Sequence, residues 1–163
     1  MSAWVATSED DTARLAQRLA AAMRADPSLA DALLTLRGDL GAGKTTFVRH
    51  LLRALGVTGR IKSPTYALVE PYDLPAPAGG PTMPPAWHAD LYRFDDPREW
   101  EDAGLRELFA SPGLKLVEWP EKAGSLLPMP DLDLLFHHDG DDTRRIVPTA
   151  HTPRGLALLA ALS

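Results

Sequence analysis

The stretch that most constrains this 163-residue chain is Gly38-Asp39-Leu40-Gly41-Ala42-Gly43-Lys44-Thr45. It fills every required position of G-x-x-x-x-G-K-[ST], a spacing that lets a glycine loop wrap a phosphate chain. Chance alone would produce it in about one chain in two hundred of this length, so its flanks decide. Ahead lies Ala32-Leu33-Leu34-Thr35-Leu36, a short apolar run of buried-strand type. Behind, Thr46 to Leu55 repeats its apolar residues at helical spacing, and Gly56 closes the run. Strand, glycine loop and helix is the context the pattern needs.

The chemistry follows from the spacing. Glycines at 38, 41 and 43 allow the backbone to turn so that successive N–H groups face one anion. The helix that follows adds its unpaired first-turn donors and the positive end of its dipole. Asp39, Leu40, Gly41, Ala42, Gly43, Lys44, Thr45 and Thr46 are therefore candidate nucleotide-binding residues. Lys44 would reach the β- and γ-phosphates, and the Thr45 hydroxyl would meet Mg²⁺. A glycine-rich turn joining two elements explains the glycines equally well, but it has no use for Lys-Thr at the helix start.

Length suits one domain over residues 1–163 with a sizeable core. With 17 basic and 22 acidic residues the net charge is −5, which argues against a large basic face for nucleic acid and leaves room for a protein partner. There is no cysteine, hence no disulfide and no thiolate metal site. Met1 to Asp11 carries neither a basic nor an apolar signal-type segment, and no apolar run approaches the ~20 residues of a membrane span, so a cytoplasmic protein is expected.

Along the chain, Trp4-Val5-Ala6 predicts a short strand. Thr7, Ser8 or Asp10 can cap a helix over 11–24 whose Leu15, Leu19 and Met23 share one face. Ser63-Pro64-Thr65 precedes an expected strand over 66–72. It reads as a turn, or, beside a phosphate loop, as a switch segment with Thr65 near the γ-phosphate. The proline- and glycine-rich stretch 73–85 predicts an irregular, mobile surface loop. Residues 86–93 resume as a strand in which Asp90 is placed to serve the cation. The competing reading makes His88 and Asp90 polar residues on an exposed strand face. Asp96 and Pro97 start a helix that continues from 98 to 109, with an interruption at Gly104.

Leu114 to Glu118 is a second strand ending in a carboxylate, stopped by Pro120, and Trp119 fits either a packing role or contact with a base. Residues 131–136 and 144–147 read as a hairpin. Thr152 and Pro153 open a terminal helix expected to turn Leu156, Leu159 and Leu162 inward. His137 and His138 alternate across a strand, so with His151 they read as solvated side chains rather than joint ligands.

Taken together, the chain resembles the bacterial TsaE (YjeE) family, small ATPases needed to form threonylcarbamoyladenosine in tRNA. The matching segments are the phosphate loop through Thr46-Phe47, Ser63-Pro64-Thr65-Tyr66 with Leu68-Val69-Glu70 and Tyr72, His88-Ala89-Asp90-Leu91-Tyr92-Arg93, and Val117-Glu118-Trp119-Pro120. The resemblance implies a three-layer α/β phosphate-loop fold with a mostly parallel central sheet, a C-terminal hairpin and helices on both faces. It implies ATP or ADP with Mg²⁺ as ligand, and assembly with the TsaB and TsaD proteins, with tRNA met only indirectly. It places Thr45 and Glu118 on the cation with Asp90 beside them, Thr65 on the switch, Trp119 near the nucleotide, and Glu9 at the nucleotide from the N-terminal side. Lys44, Asp90 and Glu118 become the candidate catalytic residues. The family's hairpin arginine has only approximate counterparts here, Arg144 or Arg145.

A small-molecule or nucleoside kinase would also use a phosphate loop, but it needs an acceptor pocket and an arginine-bearing lid, and the candidate lid here is proline-rich and nearly uncharged. A third reading is a module that binds ATP and barely hydrolyses it.

Overall fold

The computed structural model describes residues 3–62, 64, 69–96, 98–99, 104–140 and 142–163. A seven-stranded sheet runs through them, built from β1 (Trp4–Ala6), β2 (Leu33–Arg37), β3 (Val69–Tyr72), β4 (Ala86–Asp90), β5 (Leu114–Glu118), β6 (Leu132–His138) and β7 (Arg144–Ala150). Their order across the sheet is β1-β7-β6-β2-β5-β4-β3. The four central strands are parallel: β2 lies between β6 and β5, and β4 lies beyond β5. Antiparallel partners close both sides, with the β6–β7 hairpin and β1 on one flank and β3 on the other. The helices are α1 (Glu9–Ala25), α2 (Lys44–Ala54), α3 (Leu105–Ala110) and α4 (Pro153–Ala160), with short 3₁₀ turns at Pro27–Ala30, Pro120–Lys122 and Gly124–Leu126.

Strand alternation divides the interior into two cores. Leu34 and Leu36, Leu114 and Leu116, and Leu132, Leu134 and Phe136 point to one face. There they meet Leu15, Leu19 and Met23 of α1, Phe47, Leu51 and Leu52 of α2, and Leu158 of α4. Each of these large side chains contributes about 1.5–3 kcal/mol by leaving water. The opposite face carries Leu33, Ala89 and Val117, covered by Leu105 of α3 with Leu91, Phe94 and Ala123. This gives the layered, centrally parallel α/β architecture expected for a phosphate-loop protein.

Several details depart from the sequence reading. The first helix starts at Glu9 rather than 11, with Ser8 at its cap position. Ser8 makes no side-chain cap bond; instead Asp11 in the first turn ties down the preceding residue, accepting from the Thr7 amide at 2.9 Å and the Thr7 hydroxyl at 3.0 Å. The proline-rich stretch is irregular but does not hang free: Leu74 and Met83 are buried in the main core, and Pro75 lies against Gly56. In the terminal helix Leu156 is exposed, and Leu158 takes the inward position with Leu162. A helix starting at Pro153 points residue 158, not 156, at the sheet, because the cap sets the rotational phase. His88 is 1% exposed, so the exposed-face reading does not hold for it. Thr65 and most of the strand expected over 66–72 lie outside the described residues; the described part is β3. The same is true of 100–103 in the helix expected after Asp96.

The end of the sheet opposite the phosphate loop is tied by Asp131. Its carboxylate accepts from the Leu33 amide at 2.8 Å and from the Thr152 hydroxyl at 2.6 Å, while Thr152 accepts from Gly155 N at 3.0 Å to cap α4. The helix therefore sits so close that a Cβ on Gly155 would fall 1.7 Å from the Asp131 carbonyl oxygen. Gly155→Ala must push α4 off β6 and is expected to cost about 1–3 kcal/mol or more. The midpoint of thermal unfolding, followed by circular dichroism, should fall by several degrees, at roughly 2–4 °C per kcal/mol for a chain of this size.

Candidate nucleotide-binding site

Parallel strands deliver their carboxyl ends to one edge of the sheet, and the loop after β2 turns there into α2. Gly38 makes that turn at φ 144°, with no room for a side chain, since a Cβ would meet the Phe136 carbonyl at 2.5 Å. Gly43 takes φ 105° as the cap residue of α2, a left-handed conformation that favours glycine and aims the first helical amides outward. Leu40 stands 67% exposed at the loop tip, while Ala42 is buried and closes the turn by donating to the Asp39 carbonyl at 3.1 Å.

Strand parity assembles the acids. Ala86, His88 and Asp90 occupy alternate positions of β4, and Leu114, Leu116 and Glu118 those of β5, all on the α2 side. Register sets Asp90 opposite Glu118. From α2, the Thr45 hydroxyl lies 2.9 and 3.0 Å from the two oxygens of Glu118. Glu118 is 2% exposed, and its Oε2 is also 2.6 Å from His88 Nε2. Asp90 accepts from the Tyr92 amide at 3.0 Å. Burial holds its carboxyl above the usual carboxylate range, and the neighbouring Glu118 charge adds to the rise, which the Tyr92 amide opposes.

Lys44 is nearly enclosed. Its ammonium donates to the Gly38 carbonyl and sits 3.6 Å from the centroid of the Trp119 ring. Burial pushes its pKa down, and the charges of Glu118, Glu121, Asp90 and Asp39 oppose that shift. Trp119 holds φ 57°, the one positive φ at a non-glycine residue among those described, and its ring lies 5.0 Å from that of Tyr92. The turn after β5 is thus bent back over the phosphate loop.

These groups line a cleft of about 660 Å³, roughly the size that a nucleotide requires. Of the candidates, Leu40, Gly41, Gly43, Lys44, Thr45, Thr46, Asp90, Glu118, Trp119 and Glu9 border it. Glu9 is held there by His50 Nε2 at 2.9 Å. Asp39 and Ala42 shape the loop without facing the cleft, and Thr65 lies outside the described residues. Thr7, Ser8 and Thr12 at the start of α1 also border the cleft, as do Tyr92, Asp142 and Arg144. No motif marks the first three; only the proximity of α1 to α2 brings them in. The choice between the two hairpin arginines is made by strand parity: Arg145 pairs with Asp139 at 2.9 Å, whereas Arg144 turns into the cleft beside Gly43.

The donors fit a nucleotide with its cation. Arg144 Nη1 is buried with no hydrogen-bond partner among the described residues, a cationic donor awaiting an anion. Among the described residues no group of three or more His, Asp or Glu could hold a metal unaided. Thr45 with one or two carboxylates is instead a partial set of oxygen donors, of the kind that would hold Mg²⁺ together with phosphate oxygens and water.

Comparison with known proteins gives one answer. The family model described as "Threonylcarbamoyl adenosine biosynthesis protein TsaE" matches residues 6–146. The protein of that family from Haemophilus influenzae is 42% identical over 132 residues, covering 80% of this chain and 78% of its own. The one from Bacillus subtilis is 41% identical over 118 residues, covering 72% and 69% respectively. The crystal structure of Bacillus subtilis YdiB superposes with a TM-score of 0.74 at 31% identity, over 98% of this chain and 92% of that one. With the family model spanning most of its length and relatives of this identity alongside it, the chain belongs to the TsaE family of tRNA threonylcarbamoyladenosine biosynthesis.

Proposed function

We propose that this protein binds ATP with Mg²⁺ and hydrolyses it slowly, as an accessory to the formation of threonylcarbamoyladenosine in tRNA. It works within a complex with the TsaB and TsaD proteins. The observation that carries the reading is the link between Thr45, the last residue of the phosphate loop, and Glu118, the carboxylate at the end of the adjacent strand. That pairing couples the phosphate cradle to the cation site, as ATP hydrolysis needs and a structural turn does not.

In this reading the loop amides, Lys44 and Arg144 hold the phosphates, and Lys44 leaves the Trp119 ring to do so. Thr45 and Glu118 hold Mg²⁺, which neutralises charge developing on the transferred phosphoryl group when bound. Asp90 stands opposite Glu118, and its raised pKa suits a group that accepts a hydrogen bond from, and orients, the attacking water. Tyr92 and Trp119 offer aromatic surface at the mouth of the cleft. Cytoplasmic residence fits this role; no helix among the described residues is long and apolar enough to cross a membrane. The kinase alternative is disfavoured because the proline-rich stretch, its candidate lid, packs on the core near Gly56 and contributes no residue to the cleft.

Three substitutions test the assignments. Lys44→Ala should lower ATP hydrolysis by about 100-fold or more, measured by phosphate release with and without the TsaB–TsaD pair; unchanged turnover would remove the loop from the chemistry. Glu118→Ala should weaken Mg²⁺-dependent hydrolysis more than Mg²⁺-free ADP binding, compared by kinetics and calorimetry, whereas equal losses would move Glu118 off the cation. Asp90→Asn keeps an acceptor for the Tyr92 amide and removes a charge that burial penalises. Because the folded carboxyl has a raised pKa, its ionisation costs stability as pH rises through the carboxylate range. The ligand-free variant should therefore melt higher than the native protein at pH 7, with the gap narrowing toward pH 4, while its hydrolysis falls.

A further inference from the structure

We propose that His88 is a positioning residue for the cation site: it anchors one oxygen of Glu118 so that the carboxylate is presented toward Thr45. The inference rests on the ATP and Mg²⁺ reading above. His88 sits on β4 at 1% exposure, and its Nε2 is 2.6 Å from Glu118 Oε2. A carboxylate only accepts, so Nε2 carries the proton. The other ring nitrogen, Nδ1, is buried without a partner among the described residues. A histidine kept only for packing could be replaced by an apolar ring without leaving that atom unpaired. Here the ring's hydrogen bond, from Nε2, goes to Glu118, and Nδ1 has no partner among the described residues.

The carboxylate needs such an anchor because a second attraction competes for it. Glu118 is the foremost of the negative charges acting on the Lys44 ammonium, and both groups are nearly enclosed. A glutamate with three free torsions would swing toward that charge, closing off the cation and tying up the lysine that phosphate requires. His88, on the neighbouring strand β4, holds Oε2. Thr45 reaches both oxygens from α2, and Asp90 stands at the register position opposite Glu118. A hydrogen bond behind a metal-binding carboxylate is the kind of support whose removal costs metal affinity about 10–100-fold.

The test compares His88→Gln with His88→Met, side chains of equal length that differ in whether the tip can donate to Glu118. Calorimetry would measure ATP binding at graded Mg²⁺, and ADP binding in EDTA. The Mg²⁺ needed for half-maximal ATP binding should rise about 10-fold or more in His88→Met and stay near native in His88→Gln. ADP binding without Mg²⁺ should stay near native in both. Adding His88→Met to a Glu118→Gln protein should change little further. A native-like Mg²⁺ requirement in His88→Met would overturn the proposal. Equal weakening of both ligands, or a Gln variant as impaired as Met, would overturn it too. If the Met variant does not fold, His88→Asn takes its place with the same expectation, since its shorter amide falls short of Glu118. Native protein that binds no ATP at any Mg²⁺ would defeat the functional reading itself. A native Mg²⁺ response with no change in the variants would defeat the His88 role alone.

Discussion

Everything at the site depends on the parallel pairing of β4, β5 and β2. Parallel strands in register bring their carboxyl ends out at one edge, so Asp90, Glu118 and the start of the phosphate loop arrive together. An antiparallel neighbour at either position would send one acid to the far end of the sheet. Strand alternation then selects the face. His88, Asp90 and Glu118 share the side on which α2 lies, and a register slip of one residue would turn a strand's polar set away from Thr45. The two hydrophobic cores hold this register, because each slip would also carry leucines out of one core and polar groups into it.

The site stores electrostatic tension inside that frame. Glu118 and Lys44 are both nearly enclosed, and Asp90 is partly buried beside them. Each charge is costly away from water unless matched, and the matches here are partial. Lys44 leans on a backbone carbonyl and an aromatic face, Arg144 has one donor without a partner among the described residues, and Asp90 carries a raised pKa. In the proposed reading, a nucleoside triphosphate with its cation would resolve these together: phosphate charge would meet Lys44 and Arg144, and the cation would relieve the facing carboxylates. Binding energy would then be drawn from groups the ligand-free fold leaves poorly satisfied.

Much of this was legible because glycine loops and strand-end acids have local causes. The phosphate loop, the capped C-terminal helix, the Leu15-Leu19-Met23 face and the carboxylate of Glu118 follow from spacing alone. The choice between Arg144 and Arg145 did not, since adjacent residues of a strand face opposite ways and only pairing with β6 decides which is inward. The same holds for Leu158 over Leu156, whose phase is set by the Thr152 cap and its tie to Asp131. His88 on an alternating strand could have faced solvent; the α2 layer above it determines that it does not.

By itself the sequence determined the chemistry on offer: a phosphate cradle, a hydroxyl and a lysine at its end, and two acids leaving strands, all encoded within short windows by steric and hydrogen-bonding rules. Tertiary structure alone decided which groups meet. The contacts of Thr45 with Glu118, Glu118 with His88, Lys44 with Trp119 and α1 with the cleft join residues separated by dozens of positions. Such contacts are set by sheet order and helix placement, which depend on the summed burial of many apolar side chains rather than on any local pattern.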